Sequence, residues 1–354
     1  MDVADFDFDL PAELVAQYAA ERGQSRLLVL RRAGGPIEHV TVAHLGDYLG
    51  AGDLLVLNNT RVFPARLLGQ RVPSGGAVEC FLMRRVQEPE PSTGSEEWEA
   101  LVHPGQKLKP ASRVRFERDG VALEGEVLAR HFHGRRTVRL WRDDGGDVRG
   151  AVDRIGHVPL PPYIRRADRP EDRERYQTVF ARVRGSIAAP TAGLHFTDGQ
   201  LADLRRAGVA TTEVTLHVGY GTFKPVRVER VEDHEVDAER FDVSPEAAAA
   251  LTQARRAGRR IVAVGTTTAR TLESLRVTGD GVVEPASGET RVFIRPGHHF
   301  GLVDGLVTNF HLPRSSLLML VSALGGREQV LDAYAEAVAR RYRFYSYGDA
   351  MLVI

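Results

Sequence analysis

The chain has 354 residues, with 47 Lys and Arg against 47 Asp and Glu, a formal net charge of zero. Its 43% hydrophobic and 27% charged residues are those of a soluble globular protein, and its length exceeds the roughly 250–300 residues that one core sustains, so two domains are expected. A single cysteine, Cys80, excludes an internal disulfide and any cysteine-rich zinc or iron–sulfur site. The longest apolar runs, such as 317–321, fall far short of the ~20 residues that cross a bilayer. The segment 1–5 (MDVAD) is acidic where a secretory signal is basic and then apolar, so a cytoplasmic protein without membrane contact is expected. The basic residues are almost all arginine, with lysine only at Lys107, Lys109 and Lys224, as the codons of a GC-rich genome favour. With no net charge, any RNA site must be a local patch.

In chain order, an acidic, aromatic segment at 5–11 (DFDFDLP) precedes a helix expected over 12–20 and strands expected over 26–31 and 53–58. From about residue 64 to 153 the texture changes to short alternating segments: ARLLGQRV, AVECFLMRR, EWEALVH, SRVRFER, LEGEVLAR and RTVRLWR. Gly75-Gly76, Asp119-Gly120 and 143–146 (DDGG) mark turns between them. Short strands at near-regular spacing with no helical period predict a small antiparallel barrel or sandwich. The run 87–96 (QEPEPSTGSE) reads as a solvated loop, since its prolines and charges neither pair nor pack.

From about residue 156 onward, strands alternate with helices. Residues 209–218 alternate in the strand manner, with Val214, Leu216 and Val218 on one face. Ser244-Pro245-Glu246 opens a helix that runs to Gly258, with a capping hydroxyl, proline in the first turn and an acid at the positive end of the dipole. A buried strand at 261–264 leads into a helix beginning at Gly265-Thr266. The last third repeats the pattern: a strand at 306–310, a loop at 311–316, a helix over 317–324 and an amphipathic helix over 328–342. The expected fold class is α/β: a three-layer α/β domain (1–63 and 154–354) with an inserted small antiparallel β-barrel domain (64–153).

Common catalytic signatures are missing. There is no Gly-x-Gly-x-x-Gly between strand and helix, no phosphate loop, and no Gly-x-Ser-x-Gly elbow. His131 and His133, on an apparent strand, and the adjacent His298 and His299 do not make a metal-ligand pattern, so no metal is expected. What stands out is five loops rich in Gly, Thr, Asn and His at the ends of expected strands: 57–66, 188–196, 215–223, 264–270 and 307–314. In open α/β sheets ligands lie beyond the carboxyl ends of strands, where loop backbone and helix starts offer free N–H groups. Thr266 and Thr267 at a helix start suit a carboxylate or phosphate. His195, His217 and His311 suit proton transfer, because imidazole titrates near neutral pH. Read alone, each is as well explained by a structural histidine, a helix cap or a tight turn; together they favour a polar small-molecule site.

The runs LNNTRVFPARL, GSIAAPTAGLHF, VTLHVGYGTFKPV, VGTTTARTLES, TNFHLPRSSLLMLVSALGG and YRFYSYGDAMLV resemble the S-adenosylmethionine:tRNA ribosyltransferase-isomerases of queuosine biosynthesis. Shorter matches (DFDLP, SRLLVL, LPPYI, ERYQTVFAR) extend the resemblance over essentially the whole chain. It implies a β-barrel inserted in a three-layer α/β domain, and an enzyme that uses S-adenosylmethionine as ribosyl donor. The implied acceptor is a tRNA carrying 7-aminomethyl-7-deazaguanine at the wobble position, and the implied products are epoxyqueuosine-tRNA, adenine and methionine. No tightly bound cofactor and no metal are implied, and a monomer is expected.

Such chemistry needs a base for the proton next to the sulfonium, an acid for the departing adenine and a deprotonated acceptor amine. Motif membership points to His195, His217 and His311 as catalytic residues. Asn309, Thr266, Thr267 and Arg270 suit the methionine carboxylate or ribose, and Asn59, Arg61 and Arg66 the modified base or a phosphate. Thr191, Gly193, Gly219, Gly221 and Thr222 complete the substrate-binding set. The sequence departs from the family's pattern at Asp237, where a second imidazole is usual, at His298, where an aromatic is usual, and at Ala19-Ala20. These departures leave ribosyl transfer to a different 7-deazapurine as an alternative; the competing class is a non-catalytic tRNA-binding protein. The latter would use a basic, aromatic barrel face of Arg113, Arg115, Arg135, Arg136, Arg139 and Trp141.

Overall fold

The computed structural model describes residues 1–86, 94–223 and 225–354, so most of the loop expected at 87–96 lies outside the described residues. The chain divides into two compact units. Met1–Arg61, Pro161–Arg166 and Glu174–Ile354 form one; Val62–Leu160 and Ala167–Arg173 form the other.

The first unit is built on a nine-stranded sheet. From edge to edge its strands are Ala286–Thr290, Glu239–Val243, Ala210–Leu216, Leu54–Asn58, Ile261–Val264, Gly305–Asn309, Ala350–Val353, Arg26–Leu30 and Glu38–Thr41. The four from Ala210–Leu216 to Gly305–Asn309 are parallel neighbours. The interior strands are apolar on both faces, as a sheet covered on both sides requires. Leu54, Val56, Ala263 and Leu306 face the layer of helices Pro245–Arg256, Ser316–Gly325 and Arg327–Ala339. Leu55, Leu57, Val262 and Val307 face the opposite layer, where helix Asp198–Arg206 inserts Leu201 and Leu204. Helix, sheet and helix make the expected three layers.

The second unit is a closed antiparallel barrel of Arg66–Val72, Ala77–Arg85, Glu96–His103, Arg113–Arg118, Val121–Arg130 and Arg135–Trp141. Its strands obey the two-residue period: Val121, Leu123 and Val127 are buried while Glu124 and Glu126 point outward. The six alternating segments of the sequence are these six strands.

Three local expectations differ. The helix over 12–20 is only a 3-10 turn, Ala12–Leu14, because the chain then pairs with Phe344: Phe344 N donates to Leu14 O (2.8 Å) and Ala16 N to Phe344 O (3.2 Å). Tertiary pairing overrides a weak helical preference there. His131 and His133 do not lie on a strand but flank and form the turn Phe132–Gly134. The strand Ala350–Val353, unforeseen in the sequence, lies inside the sheet between Gly305–Asn309 and Arg26–Leu30. No helix among the described residues is long and apolar enough to cross a membrane.

Candidate functional site

Because the four parallel strands lie side by side, their carboxyl ends share one edge of the sheet. Asn58 ends its strand by continuing the ladder with its side chain. Its amide donates to Leu216 O (3.0 Å) and accepts from Leu216 N (3.1 Å), with Thr267 Oγ1 at 3.4 Å. Gly265, at φ 94°, turns the chain from strand into the helix Thr266–Leu272, a left-handed geometry that glycine adopts without strain. Its N–H donates to Val307 O at 2.8 Å. Four of the five loops singled out in the sequence therefore meet through hydrogen bonds, and the fifth joins them through Thr191 and His195.

Asn309, at the end of its strand, organises that junction. Its Nδ2 donates to His195 Nε2 (3.0 Å) and to Tyr345 O (3.2 Å), and its Oδ1 accepts from Thr191 Oγ1 (2.9 Å). This places the His195 lone pair on Nε2 and its proton on Nδ1, which bonds Ser25 Oγ at 2.8 Å. Burial pushes the His195 pKa down to about 4. His311 is buried as well, with Nε2 at 2.8 Å from Thr308 Oγ1 and its backbone N–H donating to Tyr334 Oη (3.0 Å). Burial alone holds its pKa at about 3. Both imidazoles are neutral at pH 7.

His217 differs from them. It is half-buried, and its Nδ1 lies 2.8 Å from Thr60 Oγ1, which reaches Val183 O at 3.5 Å. With the Thr60 hydroxyl directed at that carbonyl, Nδ1–H donates and the lone pair falls on Nε2. That nitrogen has no hydrogen-bond partner among the described residues. Gly185 makes room for the ring, since a Cβ there would come within 2.6 Å of His217 Cε1. Burial first, then the Arg240 guanidinium, keeps this pKa below the ordinary value of 6.5.

Beyond the end of the Ala210–Leu216 strand, Glu239 and Arg270 form a buried ion pair. Glu239 Oε1 also accepts from Gly219 N (3.0 Å) and Thr222 Oγ1 (3.2 Å). Arg270 Nε donates to Val292 O at 3.0 Å, while its buried Nη2 has no partner. A buried guanidinium nitrogen without an acceptor is costly, and the shortfall is met when an anionic oxygen arrives. The pair lines a cavity of about 100 Å³ together with Gly221, Thr222, His234 and Asp237. Asp237 takes the space beside Gly221, where a Cβ would lie 2.6 Å from its Oδ2.

Thr266 and Thr267 are buried at the helix start. Gly193 packs under Phe180 and Thr178, each 2.7 Å from where its Cβ would stand. Asn59 is occupied by Glu213 (3.0 Å) and Thr215 (2.7 Å). Arg61 is exposed. Arg66 belongs to the barrel unit, where Glu79 holds its guanidinium through bonds of 2.8 and 3.0 Å. His298 bonds Glu273 at 3.2 Å.

Of the barrel face considered above, Arg113 stays exposed with its guanidinium 5.8 Å from the Trp141 ring centroid, while the other four arginines are already engaged. Arg115 pairs with Glu117 and Glu124, Arg135 with Glu99 and Arg139 with Glu97, while Arg136 is buried on backbone carbonyls. Sequence reasoning missed Ser25, Thr60 and the structural part of Asn58, which carry no distinguishing local signal. It also missed Glu239, visible only as one acid in the run 234–239. Among the described residues, no three His, Cys, Asp or Glu side chains gather closely enough to hold a metal ion.

The profile of a family described as queuosine biosynthesis protein matches residues 3–353. An S-adenosylmethionine:tRNA ribosyltransferase-isomerase of Anaeromyxobacter sp. (strain Fw109-5) is 52% identical over 100% of this chain and 99% of its own. The protein of that name from Heliobacterium modesticaldum is 50% identical over the full length of both chains. A crystal structure of S-adenosylmethionine tRNA ribosyltransferase from Thermotoga maritima matches with a TM-score of 0.55 and 38% identity, covering 99% of this chain and 100% of that one.

Proposed function

Because the chain belongs to the S-adenosylmethionine:tRNA ribosyltransferase-isomerase family, enzymes of queuosine biosynthesis, we propose that its strand-end loops grip the amino-acid end of the donor and deprotonate its ribosyl carbon. The chain is accordingly a transferase-isomerase that takes S-adenosylmethionine and tRNA as substrates. The observation that carries the site assignment is Arg270 Nη2, buried at the cavity and lacking an acceptor. The donor's carboxylate supplies one, and Glu239, with its three donors, holds the guanidinium in place. Thr222 and Asp237 in the cavity wall offer further polar contacts, Asp237 being suited to the donor's ammonium.

The sulfonium acidifies the carbon beside it. His217 Nε2 takes that proton, with Thr60 fixing the tautomer; adenine leaves with a proton returned to it, the acceptor amine bonds to the sugar carbon it vacates and gives up its own proton, and a sugar oxygen displaces methionine to close the epoxide. A pKa below 6.5 keeps His217 in its basic form at neutral pH. His195 and His311, both buried and neutral, hold Asn309 and Thr308 at the strand end. The acceptor is the aminomethyl group of 7-aminomethyl-7-deazaguanine at the wobble position, giving epoxyqueuosine-tRNA. One chain supplies every residue invoked, and none of the steps calls for a metal or a bound cofactor. A tRNA acceptor fits a cytoplasmic reaction.

One comparison of variants tests both halves of the assignment. Removing Arg270 alone would strand the Glu239 charge, so the paired variant Arg270→Gln/Glu239→Gln is the informative one. It should weaken S-adenosylmethionine binding, by calorimetry, roughly tenfold to a hundredfold, the worth of a charge-assisted hydrogen bond. His217→Ala should bind the donor normally yet release adenine at least about 10²-fold more slowly with acceptor tRNA. Unchanged affinity in the first, or near-normal turnover in the second, removes that residue from the mechanism.

A further inference from the structure

The turns at one end of the barrel carry no acidic residue; the nearest acids by register are Glu79, opposite His103, and Glu126, opposite Arg113. Register fixes which loops share it: Gln70 pairs with Ala77, Val72 with Arg113, Glu79 with His103 and Arg135 with Leu101. The turns at 73–76, 104–112 and 131–134 therefore lie together. Across 70–78, 103–116 and 127–137 there is no Asp or Glu, although the whole chain carries 47 of each charge. Two of the three lysines, Lys107 and Lys109, fall here with Arg130, all exposed and without an ion pair among the described residues.

Buried Arg136 holds this end together. Its Nε donates to Leu108 O (3.0 Å) and its Nη2 to Gly105 O (2.6 Å), strapping the lysine-bearing turn to the base of the 131–134 turn. At the tip of that turn Phe132 is 88% exposed, the most exposed large hydrophobic side chain among the described residues. An isolated apolar side chain on a surface needs no explanation. A bare aromatic ring among unpaired cations, with acids excluded from three separate segments, is the composition that meets single-stranded nucleic acid: cations on phosphates and a ring on a base.

We propose that this end of the barrel is a contact surface for the RNA acceptor, with Phe132 stacking on an unpaired base and Lys107, Lys109 and Arg130 meeting backbone phosphates. It differs from strand-borne Arg115, Arg135 and Arg139, whose charge is neutralised within the barrel by Glu97, Glu99, Glu117 and Glu124. The proposal rests on tRNA being the acceptor, as read above, and adds which part of the chain receives it.

The test uses the full chain, acceptor tRNA and two variants, Phe132→Ala and Lys107→Ala/Lys109→Ala/Arg130→Ala. All four side chains are exposed, so folding is not at stake. Each variant should weaken tRNA binding about tenfold and raise the KM for tRNA, leaving S-adenosylmethionine affinity unchanged. The triple variant should also flatten the dependence of log K on log salt by about 2, since roughly 0.7–0.9 is lost per phosphate contact; Phe132→Ala should leave that slope alone. Wild-type tRNA affinity and salt slope in both variants would overturn the proposal. Wild-type enzyme that releases no adenine with tRNA would instead overturn the acceptor reading, so the two failures are separable.

Discussion

His195 shows how burial decides what a residue can do. Both ring nitrogens are bonded, one to Ser25 and one to Asn309, and the ring is shut off from water, so the charged form is penalised and the pKa falls from 6.5 to about 4. In the unfolded chain the same residue takes up a proton near 6.5. Between those values the unfolded state binds more protons than the folded one, so stability rises with pH across that window. The contribution is complete above 6.5, is lost as pH falls toward about 4, and loses nothing further below. A shift of this size corresponds to something on the order of 3 kcal/mol. Urea unfolding of wild type and His195→Asn at pH 7, 5.5 and 4.5 should show the variant lacking this part of the pH dependence. Parallel curves would mean that the imidazole titrates as though solvated. His217, half-buried, shifts in the same direction, which suits a base that must be unprotonated at neutral pH.

At the scale of elements, what was legible in the sequence was what is locally encoded. The barrel strands could be read because a two-residue period and frequent turns need no knowledge of the partner strand. The helix Pro245–Arg256 announced itself by its cap, where Ser244 accepts from Ala247 N with proline in the first turn. The strand Ala350–Val353 was not legible, because a short apolar run has no period. It becomes a strand by pairing with segments far away in sequence, antiparallel to Gly305–Asn309 and parallel to Arg26–Leu30. The same non-local pairing, with Phe344, undid the helix expected after Pro11. The site divides along the same line. Its loops were visible in their Gly, Thr, Asn and His content. The Glu239–Arg270 pair and the Thr60–His217 contact join residues 31 and 157 apart, and only the folded sheet brings them together.

At the scale of the molecule, the two units have separate cores and carry separate reporters. Both tryptophans of the chain, Trp98 and Trp141, lie on barrel strands, and so does its one cysteine. Cys80 is buried among barrel side chains, and burial pushes its thiol up to about 12, so it stays unreactive until the barrel opens. The helices of the α/β unit, among them Asp198–Arg206, Pro245–Arg256, Ser316–Gly325 and Arg327–Ala339, should dominate the far-ultraviolet dichroism, whereas among the described residues Val148–Ile155 is the one helix of comparable length in the barrel unit. Units with their own cores unfold as their own cooperative transitions. In a urea titration, tryptophan fluorescence and Cys80 labelling by a thiol reagent should therefore share one midpoint. The dichroism at 222 nm should report a second midpoint at a different urea concentration. If all three signals coincide, the chain unfolds as a single cooperative body, and the division into two units has no thermodynamic counterpart.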